Sequence, residues 1–234
     1  MLAELLPSGV ESVETFGDIP DCPLFAEEEA VIVRAAAARR REFATVRWCA
    51  RAALARLGCP PVPVLPGERG APTWPAGVVG SITHCPGYRA AAVALAGRSG
   101  LAALGVDAEP SARLPPGVLE TVALGDEVAA VAALRRGDPS VPWDRVLFSA
   151  KESVYKAWFP LTRRWLDFHD VSVRIVSVGS GGRAGVRPHG RFRARVPAGR
   201  QARLGTRPGP ISFLSGRWLV DRGLVVTAVA VPGR

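Results

Sequence analysis

Asp107 and Glu109 stand two positions apart in Gly105-Val-Asp-Ala-Glu109, and residues i and i+2 of a β-strand share a face. Two carboxylates so placed repel unless a cation lies between them. A second group of reactive side chains follows about forty positions later, in Phe148-Ser-Ala-Lys-Glu-Ser-Val-Tyr-Lys156. Both lysines of the chain fall in this stretch, against twenty-eight arginines overall. Where arginine serves almost every basic position, a retained lysine points to a compact ammonium that the guanidinium fork cannot replace. Glu152 and Lys156 are four apart, which stacks them on one face of a helix. The plain alternative is a surface ion pair, worth only about 0.3 to 0.5 kcal/mol. Asp107, Glu109 and Glu152 together form an oxygen set that suits Mg2+, with substrate phosphate oxygens and water completing the shell. Taken alone, an acidic pair in a strand is also a common solvated strand end.

These residues need elements to position them. The pattern predicts a strand over residues 101–109 and a helix over 143–159 that Pro160 stops. Apolar residues recurring every three or four positions predict one helix over 27–57, with a basic opposite face and Gly58 as its stop. Residues 60–77 carry six prolines and must form an ordered loop. Strands are expected at 78–82 and 89–95, a helix at 118–135, and short strands at 171–176, 192–196, 211–214, 217–220 and 224–231. Each half reads as helix plus antiparallel strands, closing on a small-residue apolar strand. That pattern predicts an α+β chain of two similar halves, 1–100 and 101–234.

Composition narrows the classes. At 234 residues and 48% apolar content the chain can bury a sizeable core. No apolar run approaches the roughly 18 residues of a membrane span. The start, Met1-Leu-Ala-Glu-Leu-Leu, carries an acid where a secretory signal has basic residues. A cytoplasmic protein without membrane partners is therefore expected. Cys22, Cys49, Cys59 and Cys85 have neither metal-site nor disulfide spacing, so free thiols are expected. The net charge of +9 is uneven: residues 163–234 hold fourteen arginines against three acids, and residues 1–162 hold sixteen basic against eighteen acidic side chains. The basic third predicts an acidic partner, unless it is simply a solvated surface in an arginine-rich chain.

The pair Gly105-Val-Asp-Ala-Glu109 and Phe148-Ser-Ala-Lys-Glu-Ser-Val-Tyr-Lys156 resembles the signature of the 4'-phosphopantetheinyl transferases, G-[IV]-D-x-E and [FW]-x-x-K-E-[SA]-x-x-K. Three more segments are similar to coenzyme A contacts of the broad-specificity, actinobacterial branch: Arg39-Arg-Arg-Glu-Phe-Ala-Thr-Val-Arg47, Gly67-Glu-Arg-Gly-Ala-Pro-Thr-Trp-Pro75 and Gly80-Ser-Ile-Thr-His-Cys85. The resemblance covers about residues 39 to 166.

It implies an α+β fold of two similar halves related by a pseudo-two-fold axis. It also implies transfer of the phosphopantetheine arm of coenzyme A to a serine of an acidic acyl or peptidyl carrier protein, releasing adenosine 3',5'-bisphosphate. By the same resemblance Asp107, Glu109 and Glu152 would hold Mg2+, or Mn2+ in its place, against the pyrophosphate. Lys156 would hold the same phosphates, and Glu152 is a ligand, a general base, or both. Arg39 and Arg47 would bind the coenzyme A phosphates. Pro66, Gly67, Glu68, Arg69, Gly70 and Ala71, with Thr83, His84, Cys85 and Pro86, would line the nucleotide pocket. A spacing of eight leaves Arg39 and Arg47 about 80° apart around a helix, and Arg40 would align better with Arg47. Arg40 therefore stays open as the alternative. The aromatic residues Trp143, Tyr155, Trp158, Phe159 and Trp165 are expected in the core. A monomer is expected.

Two other classes compete. A nucleic-acid-binding protein would use the basic C-terminal third, although its arginines alternate with glycine and proline and match no nucleic-acid-binding motif. A Mg2+-dependent phosphohydrolase would use the acidic cluster, but the nuclease pattern places its lysine two positions after the glutamate on a strand. Here the spacing is four, on a helix.

Overall fold

The computed structural model describes residues 1–179, 186–197, 202–203 and 210–233. The continuous helix predicted over 27–57 is instead two helices, α1 (Ala26–Ile32) and α2 (Ala37–Arg56). The break is stabilised by side chains. Arg40 Nη1 donates to the carbonyls of Ile32 and Val33 at 3.2 and 3.4 Å, groups that an unbroken helix would satisfy with its own amides. Glu28 of α1 is fully buried and accepts from Arg51 Nη1 at 2.7 Å and from the Val64 amide at 2.9 Å. These partners offset the cost of burying a carboxylate, and they tie α1 to α2 and to the loop beyond it.

That loop, residues 60–77, is ordered as expected. The Gly67 amide donates to Ala71 O at 2.7 Å and the Thr73 amide to Leu65 O at 2.8 Å, with Arg69 in the left-handed region at φ 53°. Trp74 Nε1 donates to Gly80 O at 3.0 Å, and its ring would lie 2.8 Å from a Cβ at Gly80, so glycine lets the loop close onto the next strand.

A three-stranded antiparallel sheet follows the order β1-β3-β2, with β1 (Glu11–Thr15), β2 (Val78–Cys85) and β3 (Tyr88–Leu95). Ala50, Ala53 and Leu54 of α2 pack on its Val13, Ala91 and Val93. After the short α3 (Ala96–Ser99) comes β4 (Leu101–Pro110), the edge of a five-stranded sheet. Its order is β4-β10-β9-β6-β5, with β5 (Ser172–Gly179), β6 (His189–Arg195), β9 (Phe213–Asp221) and β10 (Leu224–Pro232). A small pair, β7 (Ala202–Arg203) and β8 (Pro210–Ile211), stands apart. The two strands expected between 211 and 220 are thus the end of β8 and the single strand β9.

The helix expected over 118–135 divides into α4 (Val118–Val122) and α5 (Gly125–Gly137), because Ala123 is extended and Glu127 accepts from the Leu124 amide at 2.7 Å to start the second. The last helix, α6 (Trp143–Thr162), contains Pro160 in its final turn and ends at Arg163 in the left-handed region. Val146, Ala150, Val154 and Trp158 of α6 pack on Trp218, Val225 and Val229. Strand, helix and hairpin therefore recur in the same order: β1, α2, β2, β3 and β4, α6, β9, β10.

The two sheets meet sideways. Ser81 Oγ and Thr83 Oγ1 of β2 accept from the Val106 and Ala108 amides of β4, each at 3.0 Å. Behind this seam Tyr88, Ala90 and Ala92 pack against Leu104, Val106 and Ala108. In the basic C-terminal third, Phe192, Ala194, Leu214 and Trp218 face α6, while Arg191, Arg193, Arg195 and Arg217 are exposed on the opposite face. The register sets Arg174 beside Arg193, and Arg191 beside Arg217. Arg183, Arg200, Arg207 and Arg234 lie outside the described residues.

Candidate active site

A cleft of about 800 Å³ opens where α2, β2, β4 and α6 converge. Its depth is set by Gly105: a Cβ there would lie 1.9 Å from Ser153 O and 2.7 Å from the Ala157 amide nitrogen. Only glycine lets α6 lie this close to β4, and that contact brings Glu152 and Lys156 to the strand carrying Asp107 and Glu109. A second hollow of about 760 Å³, between α5 and β5, is lined chiefly by apolar side chains and holds none of the catalytic, metal or coenzyme A residues expected from the sequence.

Lys156 Nζ donates to Asp107 Oδ1 at 2.6 Å, so its partner is the strand carboxylate rather than Glu152. Asp107 is 4% exposed, and its Oδ2 is buried without a hydrogen-bond partner. Glu109 pairs with Arg145 at 3.0 Å, and Arg145 is itself held by the carbonyls of Ala112 and Arg113. Burial raises the pKa of Glu152, and the Asp107 charge raises it further against the pull of Lys156. Burial and Asp107 likewise raise Glu109, while Arg145 and Lys156 oppose them.

The opposite wall is cationic. Arg39 contacts Glu42 and lies 3.2 Å from His84 Nε2, while His84 Nδ1 lies 3.2 Å from Glu42 Oε1. This geometry suits a neutral ring that donates from Nδ1 and accepts at Nε2. Burial lowers the pKa of His84, and the charges of Arg39, Lys156 and Arg89 lower it further against the pull of Glu42. Arg47 is buried, stacks 3.7 Å above the Phe43 ring and donates from Nε to Val64 O at 3.0 Å. Desolvation lowers its pKa to about 10, which leaves it charged at neutral pH.

Of the sequence-derived set, the cleft brings together Arg39, Arg47, Pro66, Arg69, Gly70, Ala71, Thr83, His84, Asp107, Glu109, Glu152 and Lys156. Gly67, Glu68, Cys85 and Pro86 are not among its walls. Cys85 points into the apolar seam, where burial pushes its thiol up to about 12, and Pro86 sits in the β2–β3 turn. Arg40, spent on the end of α1, is also not a lining residue. Tyr155, expected in the core, packs against its edge and also lines the cleft, with its hydroxyl unpaired, and Trp165 is 49% exposed. Arg145 was missed. A cation in the first turn of a helix, where the macrodipole disfavours it, was the available signal.

Residues 27–94 match the 4'-phosphopantetheinyl transferase N-terminal domain, and residues 103–196 match the 4'-phosphopantetheinyl transferase superfamily. The chain belongs to the 4'-phosphopantetheinyl transferases. It is 49% identical to 4'-phosphopantetheinyl transferase Svp of Streptomyces mobaraensis over 99% of this chain and 89% of that protein. It is 43% identical to 4'-phosphopantetheinyl transferase PptT of Mycobacterium tuberculosis (strain ATCC 25618 / H37Rv), over 99% and 98% of the two chains. Identity to 4'-phosphopantetheinyl transferase Npt of Nocardia iowensis is 45%, over 98% and 99%. As a phosphopantetheinyl transferase it takes coenzyme A as donor and a carrier protein as acceptor. The nucleic-acid and phosphohydrolase readings find no support in these relationships.

The donor set of this transferase fits a divalent cation in its chemistry. Asp107 Oδ2 is an orphaned buried acceptor, and Glu109 and Glu152 face the same cleft with pKa values raised by burial and by the Asp107 charge. Among the described residues, however, no three acid, histidine or cysteine side chains are already drawn together as a metal cage. Nor is any described helix long and apolar enough to cross a membrane.

Proposed function

We propose that the cleft binds coenzyme A with its phosphates between the Arg39, Arg47 and His84 wall and Lys156, and that the carrier serine enters beside Glu152. The observation that supports this reading is the meeting of two opposite sets of charge in one cleft, guanidiniums on α2 and carboxylates on β4 and α6. Arg39 and Arg47 supply fixed positive charge, and Arg69 adds a third guanidinium from the loop. Asp107 and Glu152, with Glu109, would hold Mg2+ or Mn2+, which when bound neutralises pyrophosphate charge.

Glu152 is the base in this reading. Its raised pKa makes it a stronger proton acceptor than an ordinary carboxylate, so it takes the serine proton as the serine Oγ attacks phosphorus. The new Oγ–P bond forms while the bond from that phosphorus to the bridging oxygen breaks in line. The electron pair leaves with adenosine 3',5'-bisphosphate, and Lys156 stabilises the charge that develops on the phosphates.

The reading extends to a monomer of two halves, 1–100 and 101–234, acting in the cytoplasm, where the four free cysteines match a reducing setting. The test is mass spectrometry of an apo carrier protein incubated with enzyme, coenzyme A and Mg2+. The carrier should gain one phosphopantetheine at its serine, with one adenosine 3',5'-bisphosphate released per carrier. Hydrolysis of coenzyme A without carrier modification would overturn the reading.

A further inference from the structure

The three carboxylates of the cleft are unequally free. Glu109 is held by Arg145, and Asp107 by Lys156 at 2.6 Å, while no ion pair to Glu152 is present among the described residues. The pair of Lys156 and Asp107 is largely shielded, at 28% and 5% side-chain exposure, so water screens it poorly. Lys156 holds Asp107 Oδ1, so a divalent cation bound at the free Oδ2 and at Glu152 would share that one carboxylate with the ammonium. Lys156 and the cation therefore compete for one carboxylate, and each repels the other at close range. The pyrophosphate of coenzyme A resolves the competition: its oxygens attract the ammonium, and the flexible four-carbon stem of lysine lets it swing from Asp107 to phosphate without moving α6.

We infer that Lys156 makes metal binding conditional on coenzyme A, acting as a removable counter-ion on Asp107 as well as a phosphate contact. The inference rests on the assignment of Asp107 and Glu152 to the metal. It gives Lys156 opposite effects on two ligands: it opposes the metal alone and favours the metal together with coenzyme A. Reciprocity follows, since whatever factor coenzyme A adds to metal affinity, the metal adds to coenzyme A affinity. Arginine at this position would keep the opposing charge, whereas an uncharged side chain would remove it.

The test measures free Mn2+ by electron paramagnetic resonance, with wild type, Lys156→Met and Lys156→Arg, each with and without coenzyme A and with no carrier present. Without coenzyme A, Lys156→Met should bind Mn2+ about tenfold more tightly than wild type or more, within the usual range of coupling factors. Lys156→Arg should stay as weak as wild type. With coenzyme A both wild type and Lys156→Met should gain Mn2+ affinity through the phosphate oxygens, and the gain of the wild type should exceed that of Lys156→Met by a similar factor. Lys156 is partly exposed, so both variants should fold, and thermal unfolding checks this. Equal Mn2+ affinity of wild type and Lys156→Met without coenzyme A overturns the inference while leaving the metal assignment intact. Failure of every variant to bind Mn2+ even with coenzyme A removes the metal assignment and the inference with it.

Discussion

Lys151 Nζ lies 2.6 Å from Glu127 Oε2 in a pair that solvent hardly reaches, at 1% and 4% side-chain exposure. The same ammonium donates to Phe168 O at 2.8 Å and to Val171 O at 3.1 Å, and Glu127 also accepts from the Val173 amide. Three acceptors converging on one nitrogen match the three donors of an ammonium, not a planar fork. The need for a lysine here is thus structural: it ties α5, α6 and the start of β5 together behind the cleft.

Lys151→Met should therefore destabilise the fold by about 3 to 5 kcal/mol, because it leaves the Glu127 charge buried and unpaired. Lys151→Arg should also be destabilising, through overpacking. Chemical denaturation checks both. A loss below about 1 kcal/mol for Lys151→Met would show the pair to be incidental.

Glu152→Gln should lower transfer by at least about a hundredfold if Glu152 is the base. Its effect on stability has the opposite sign. The folded-state pKa of Glu152 is raised, so ionising it costs stability above the ordinary carboxylate pKa, and that cost vanishes as the group protonates at lower pH. With metal and coenzyme A omitted, the variant should unfold at a higher temperature than wild type at pH 7, and the difference should shrink toward pH 4.5, the unshifted value. Calorimetry at several pH values would decide this, and a destabilised variant at pH 7 would contradict it.

The adjacent Arg39 and Arg40 should separate cleanly. Arg39→Ala removes a guanidinium from the cleft wall and should raise KM for coenzyme A about tenfold or more, the scale of a charge-assisted hydrogen bond. Arg40→Ala frees the end of α1 and should lower stability while leaving that KM within about twofold. Steady-state kinetics on the pair would expose an exchange of roles.

Charge reversal of Arg191 and Arg193 addresses the carrier. Both sit on the sheet face opposite α6, so a carrier delivering its serine to the cleft is expected not to rest on them. At physiological ionic strength the screening length is about 8 Å, and the double glutamate variant should change carrier KM by less than about twofold. A tenfold rise would make that face the carrier dock.

The proximity of the acidic pair to the lysine motif was legible because motif spacing survives translation into a strand and a helix, and β4 and α6 formed close to where their periods placed them. Two other features were hidden for physical reasons. The break between α1 and α2 depends on Glu28 finding Arg51 and Val64, partners 23 and 36 residues away, which no local pattern reveals. The pairing of Lys156 with Asp107 was not legible, because helical spacing shows only that Glu152 shares its face, whereas Gly105 allows an approach that gives Asp107 to the lysine. Tyr155 shows the same limit: a helical period puts an aromatic on an inward face but does not say whether that face meets core or cleft.

The seam between β2 and β4 carries a final implication. Each sheet keeps its backbone ladder to itself, and what crosses includes two hydroxyls, a cluster of apolar side chains, the Arg187–Glu4 ion pair at 2.6 Å and the walls of the cleft. Such a join has the character of a subunit interface enclosed within one chain. The short link through α3 then acts as a tether, holding two partners at high effective concentration so that assembly of the catalytic surface does not depend on how much protein the cell makes.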